Sequence, residues 1–165
     1  MQEMRVRIET KEPVDGEIRS AWFTLPTYEE EVSEILGIDA YEETYRILET
    51  EAPFADEIKE DMTVGQLRDY YDYFEELPSD MQEDYHELMC YYSSLEELHQ
   101  QKYDIIHYPD CRNMADIARY RLSEDPAFNA LTEKAKEYFD FEGYGEYLDD
   151  NGTFVETDHG IYELP

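Results

Sequence analysis

The chain has 165 residues, 41% of them hydrophobic, with 16 Tyr and 7 Phe, so it is rich enough in apolar surface to fold. Its 43 Asp and Glu against 13 Lys and Arg give a net charge of −30, which excludes nucleic acid and anionic membranes as partners and points to a basic surface. Residues 1–10 hold Arg5 and Arg7 and no signal-peptide core, no stretch is apolar enough to span a membrane, and Cys90 and Cys111 make no disulfide framework. A cytoplasmic, reduced protein is the plain expectation.

The first element is a strand over 4–10, where Met4, Val6 and Ile8 alternate with Arg5, Arg7 and Glu9. Pro13, Val14, Asp15 and Gly16 supply a turn, and residues 22–25 a second strand ended by Pro26, with Trp22 expected in the core. Thr27 and Glu30 have capping-box spacing before a helix whose inner face would be Tyr28, Val32, Ile35 and Leu36, stopped by Gly37. A third strand is expected over 45–50. Three helices then start at Thr63, Ser79 and Ser94, each with Gln or Glu three residues on. The first turns Val64, Leu67, Tyr71 and Phe74 inward, and the second Met81, Tyr85, Leu88, Met89 and Tyr92. Residues 103–108 read as a strand and 114–122 as a helix. Residues 127–149 read as helical pieces interrupted at Gly143 and Gly145, Asn151-Gly152 as a hairpin turn, and 153–157 and 160–164 as terminal strands. The class is α+β: an elongated chain of about three small lobes. Residues 1–61 form an α+β lobe, 62–102 a helical lobe, and 103–165 an α+β lobe.

Residues 28–111 hold 25 of the acidic side chains and only four basic ones (Arg46, Lys59, Arg68, Lys102), which is −21 of the −30. The acids recur at helical spacing: Glu30 and Glu34; Asp69, Asp72 and Glu76; Asp80, Glu83, Asp84 and Glu87. Side chains three and four apart lie about 5–6 Å from one another, and like charges there weaken a helix by a few tenths of a kcal/mol per pair. Interleaved lysines would remove that cost, and the sequence avoids them. Such rows resemble rows of phosphates; at one charge per ~1.7 Å of duplex, −30 corresponds to roughly 50 Å, or about 15 base pairs. The competing explanations of the charge are a solvated face, adaptation to salt, calcium binding, or an acidic binding module or chaperone for basic proteins.

Other chemistry lacks a motif. His86 and Cys90, and His107 and Cys111, are spaced as two ligand pairs, but the second straddles a strand end and Pro109, which keeps its side chains apart. Tyr147 stands where a calcium loop beginning before Asp149-Asp150-Asn151-Gly152 would need its first Asp. No phosphate loop, nucleophile elbow or dinucleotide fingerprint is present, so no enzyme activity, catalytic residue, cofactor or metal is expected.

Ala21-Trp22-Phe23-Thr24-Leu25-Pro26, Ser94-Leu95-Glu96-Glu97-Leu98, Asp104-Ile105-Ile106, Asp116-Ile117-Ala118-Arg119-Tyr120, Tyr144-Gly145 and the run from Gly152-Thr153-Phe154 through Asp158-His159-Gly160-Ile161 together resemble the ArdA antirestriction family. They keep the family's order along nearly the whole chain; residues 123–136 do not match. The resemblance implies an elongated, dimeric DNA mimic without catalytic site or cofactor. It would bind the modification and specificity subunits of type I restriction–modification enzymes and be carried by conjugative plasmids and transposons. The family's dimer contact lies in the C-terminal third. The phosphate-mimicking surface is then expected at Glu30, Glu34, Asp69, Asp72, Glu76, Asp80, Glu83, Asp84 and Glu87. Arg112, Arg119, Arg121, Lys134 and Lys136 are expected either to pair with Glu124, Asp125, Glu133 and Glu137 or to relieve repulsion at the dimer contact.

Overall fold

The computed structural model describes residues 3–165, so the first two positions of the expected 1–61 lobe lie outside the described residues. The chain falls into two compact units, one ending at His99 and the other spanning Gln100–Pro165. The expected 1–61 and 62–102 lobes both fall in the first unit, apart from residues 100–102. Among the described residues no helix is long and apolar enough to cross a membrane.

In the first unit, β1 (Arg5–Thr10), β2 (Ser20–Thr24) and β3 (Tyr45–Glu51) form an antiparallel sheet in the order β2-β1-β3. Strand alternation sends Val6 and Ile8 to the core, where Phe23, Tyr45 and Ile47 join them. On the other face the register sets Arg5 opposite Glu51, Arg7 opposite Glu49 and Glu9 opposite Arg46. A bulge leaves Leu48 unpaired between Ile47 and Glu49, and it is exposed. Trp22 lies opposite Arg7 and so shares this outer face. It is 37% exposed beneath the Arg5 guanidinium, 4.3 Å from the ring centroid, and Phe23 takes the core position expected of it. The turn after β1 closes between Val14 and Glu17, with Asp15 and Gly16 both left-handed (φ 53° and 86°) as a two-residue hairpin turn requires.

Helix α1 (Glu29–Leu36) starts one residue later than a Thr27 cap would have it. Tyr28 occupies the N-cap position without a side-chain bond, and the buried Thr27 hydroxyl donates to Glu31 instead. Val32 and Leu36 are buried, whereas Tyr28 and Ile35 are about half exposed. Tyr28 precedes the helix, and Ile35 is turned about 60° from Val32, away from Leu36. Gly37 ends the helix at φ 69°, its N–H donating to the Ser33 carbonyl. The capping box of α2 (Val64–Glu75) forms as expected: the Gln66 N–H donates to the Thr63 hydroxyl, and the Thr63 N–H to the Gln66 side chain. Val64, Leu67 and Phe74 are buried, with Tyr71 at their margin. The expected Ser79 helix is two short helices, α3 (Ser79–Glu83) and α4 (Tyr85–Met89), parted at Asp84 (φ −99°, ψ 22°). Met81, Tyr85 and Leu88 are buried beneath them, and α5 (Leu95–Gln101) follows.

The second unit contains β4 (Ile106–Tyr108), α6 (Met114–Ser123), α7 (Pro126–Asn129), α8 (Glu133–Glu137), α9 (Phe141–Asp150), β5 (Thr153–Thr157) and β6 (Gly160–Leu164). Its antiparallel sheet has the order β4-β6-β5. Ile117, Ala118 and Ile161 are fully buried, with Tyr108, Cys111 and Leu148 around them. The expected strand over 103–108 shortens because residues 101–104 turn, leaving Tyr103 83% exposed. Gly143 and Gly145 lie within α9 rather than breaking it. Gly145 is there for packing: a Cβ on it would meet the Met114 carbonyl carbon and oxygen at 2.6 Å, so its lack of side chain lets α9 approach α6. Asn151-Gly152 links α9 to β5, and the hairpin instead turns at Asp158 and His159 before Gly160 (φ 121°).

Candidate functional site

The acidic rows stand on α1 and α2 of the first unit. Glu30 and Glu34 are exposed one turn apart on α1; Asp69 and Asp72 are exposed on α2, and Glu76 at its C-cap. Arg68 links the two helices. Its guanidinium donates to Glu29 at 2.8 Å and to the Thr27 carbonyl at 3.4 Å, and lies 5.0 Å from the Tyr28 ring centroid. The Arg68 bond holds the Glu29 carboxyl below its ordinary pKa. The Tyr41 hydroxyl donates to Glu30 at 2.5 Å, which lowers that pKa as well and keeps the charge in place.

The third row is not one face. The break between α3 and α4 takes Asp84 inward, where it is 1% exposed, so it is removed from the expected surface set. A residue at the junction of two short helices no longer follows the 100° step that made it a neighbour of Asp80 and Glu83 on the outside. Asp80 is half-buried and its carboxylate accepts from the Met81 N–H. Glu83 and Glu87 are exposed. Glu76 contacts the His99 ring, which packs on Tyr73 with centroids 4.9 Å apart.

Several carboxylates that helical spacing did not single out are structural. Both Glu57 oxygens accept the Leu95 N–H at 3.1 Å, capping α5, and one accepts the Tyr85 hydroxyl at 3.4 Å. Burial raises the Glu57 pKa and these bonds only partly offset it. Glu163 accepts from Arg121 at 2.5 Å and from the Tyr108 hydroxyl at 2.7 Å. Burial would raise its pKa, but these partners outweigh burial and lower it. Such residues carry no local signal, because their partners lie 28 to 55 positions away.

The cations are spent internally. Arg5, Arg7, Arg19, Arg46, Arg68, Arg119, Arg121 and Lys136 each lie within 4 Å of a carboxylate of their own unit. In the C-terminal part, Lys136 pairs with Glu133 as expected, whereas Arg119 takes Asp116 and Arg121 takes Glu163. With at least eight of the 13 cations paired in this way, the surplus of anions on α1 and α2 faces solvent with few counter-charges beside it.

Among the described residues no three His, Cys, Asp or Glu side chains are grouped to hold a metal. Cys90 is exposed and contacts the His86 carbonyl, and Cys111 lies in the core of the second unit. No curated protein matches the chain. A family model described as "Antirestriction protein (ArdA)" matches residues 14–163, which takes in both units, the acidic helices and the terminal hairpin. The chain belongs to the ArdA family, antirestriction proteins that act as inhibitors of restriction enzymes rather than as enzymes.

Proposed function

We propose that the protein blocks restriction by DNA mimicry, presenting exposed carboxylates as phosphate surrogates to the DNA-binding groove of a type I restriction–modification enzyme. The observation that carries this reading is the pairing of cations inside each unit while the rows Glu30–Glu34 and Asp69–Asp72–Glu76 stay exposed. Glu83, Glu87 and the partly exposed Asp80 add to that surface. A groove lined with Lys and Arg gains free energy by counterion release when it binds a polyanion, and a folded polyanion is steered to it and competes for it. It offers no base edges, so inhibition is independent of the DNA sequence in the groove. The target is the assembly of modification and specificity subunits, in the cytoplasm.

The acting form is a homodimer joined through the second unit. Helices α7 and α8 bury none of their residues, yet Phe128, Phe139 and Phe141 cluster there at 5.0–5.9 Å, with Leu131 41% and Tyr138 80% exposed. Leu131→Glu together with Tyr138→Glu shifts the protein to monomer in sedimentation equilibrium; a dimer that survives both removes this face from consideration.

The decoy mechanism is tested by competition. A labelled duplex is bound to a type I methyltransferase core and the protein is titrated in across a salt series. Displacement near one dimer per enzyme, weakening steeply with salt and unaffected by the duplex sequence, is the expected result. No displacement at large excess overturns the reading for that enzyme.

A further inference from the structure

The first unit also holds a cavity of about 630 Å³, which the charge rows do not account for. It is lined by Glu3 and Met4 ahead of β1, by Glu51, Ala52 and Pro53 at the end of β3, and by Phe74 of α2. Ser79, Gln82, Glu83 and His86 of the broken α3–α4 pair complete it. Met4 and Phe74 are buried side chains that, with Pro53, give an apolar floor. The polar rim is made largely of acceptors. Three of its side chains are carboxylates, of which Glu51 is held by Arg5 and Glu3 also accepts from the Thr24 hydroxyl, and the Gln82 amide nitrogen already donates to the Phe74, Glu75 and Leu77 carbonyls, so Gln82 has only its oxygen to offer. Such a lining rejects anions and suits a donor-rich cation with an apolar stem.

We propose that this cavity is a socket for an arginine side chain projecting from the basic surface of the partner, an inference that rests on the decoy reading and deepens it. The stem lies on Met4, Pro53 and Phe74, and the guanidinium meets Glu83, Glu3 and the Gln82 oxygen. Arginine fits better than lysine: its flat, weakly hydrated head carries five donors and stacks on apolar faces, whereas an ammonium holds its water. The molecule's own Arg5 makes the same kind of contact on the outer face of the sheet, donating twice to Glu51 (2.5 and 3.1 Å) while lying over Trp22. The socket adds what a diffuse row of charges lacks: a shaped anchor that is desolvated on binding and fixes how the partner is oriented.

Ser79→Trp tests it, because residue 79 is exposed and the change obstructs the cavity without altering net charge. The ¹⁵N-labelled protein is titrated with N-acetyl-arginine amide, and with N-acetyl-lysine amide at equal ionic strength. Saturable shifts confined to the amides of Ala52, Gln82 and His86, weaker with lysine and lost in a Ser79→Trp protein whose remaining spectrum is unchanged, are expected. Shifts spread over α1 and α2, or unaffected by Ser79→Trp, overturn the socket. In the DNA competition, Ser79→Trp should need about ten-fold more protein at an unchanged salt slope. If it competes as well as the wild type, the socket is overturned and the decoy stands. If the wild type does not compete although acetyl-arginine fills the cavity, the socket is supported and the decoy falls.

Discussion

Glu29 and Glu57 lie in one unit and answer acid in opposite ways. Glu57 has its pKa raised by burial, so protonation favours the folded state. Its contribution to stability is fully present below the ordinary carboxylate range and is lost as pH rises through the folded value. Glu29 has its pKa lowered by Arg68; its contribution is present above the ordinary range and is lost as pH falls through the folded value. Urea unfolding between about pH 4 and pH 7 separates them. Relative to wild type, Glu57→Gln gains stability as pH rises, and Glu29→Gln loses it. Glu57→Ala removes the acceptor of the Leu95 N–H and costs about 1–3 kcal/mol at either end of that range. Arg121→Glu places two carboxylates together at Glu163 and destabilises the second unit, so Arg119 is the cleaner position for probing the dimer by charge reversal. Arg121→Met lowers stability by about 1–3 kcal/mol, read by chemical denaturation.

At the scale of elements, Gly145 sets how closely α9 and α6 pack. Gly145→Ala forces the helices apart and costs about 1–3 kcal/mol, seen as earlier melting of the second unit. Thr63→Ala removes one bond of the α2 capping box and costs about 1 kcal/mol by the same measurement. Elements with a local signal were legible in sequence. The alternation of β1, the box at Thr63, the stop at Gly37 and the terminal strands β5 and β6 all follow from residues within a few positions of one another. Three misplacements stand against these. Trp22 sits under Arg5, Asn151-Gly152 follows a helix rather than closing a hairpin, and the Ser79 helix bends at Asp84. The same break withdrew Asp84 from the surface set, while Glu30, Glu34, Asp69, Asp72, Glu76, Glu83 and Glu87 stayed exposed where helical spacing had put them. The cavity was illegible because its lining is drawn from sequence positions 3 to 86.

For the whole molecule, a net charge of −30 opposes folding and, in the proposed decoy mechanism, drives binding, so salt should move the two in opposite directions. From about 0.02 M to about 0.5 M NaCl the screening length falls from roughly 20 Å to about 4 Å, which relieves repulsion within the chain and also screens the partner's groove. The melting temperature rises across that range while competition with DNA weakens; scanning calorimetry beside the competition series reads both. Neutralising one exposed acid, such as Asp72→Asn, changes inhibition by less than about two-fold, because each phosphate-like contact adds only about one unit to the salt slope.

The order β4-β6-β5 makes the last-made strand of the second unit its middle one. During synthesis β4 and β5 emerge with no edge to join until residues 160–164 are clear of the ribosome. The first unit, whose strands are all complete by Glu51, can close long before. A ribosome that stops anywhere between residues 100 and 159 therefore releases a product with the charged helices formed and the second sheet unmade: an acidic face without the half of the protein proposed to pair it with another.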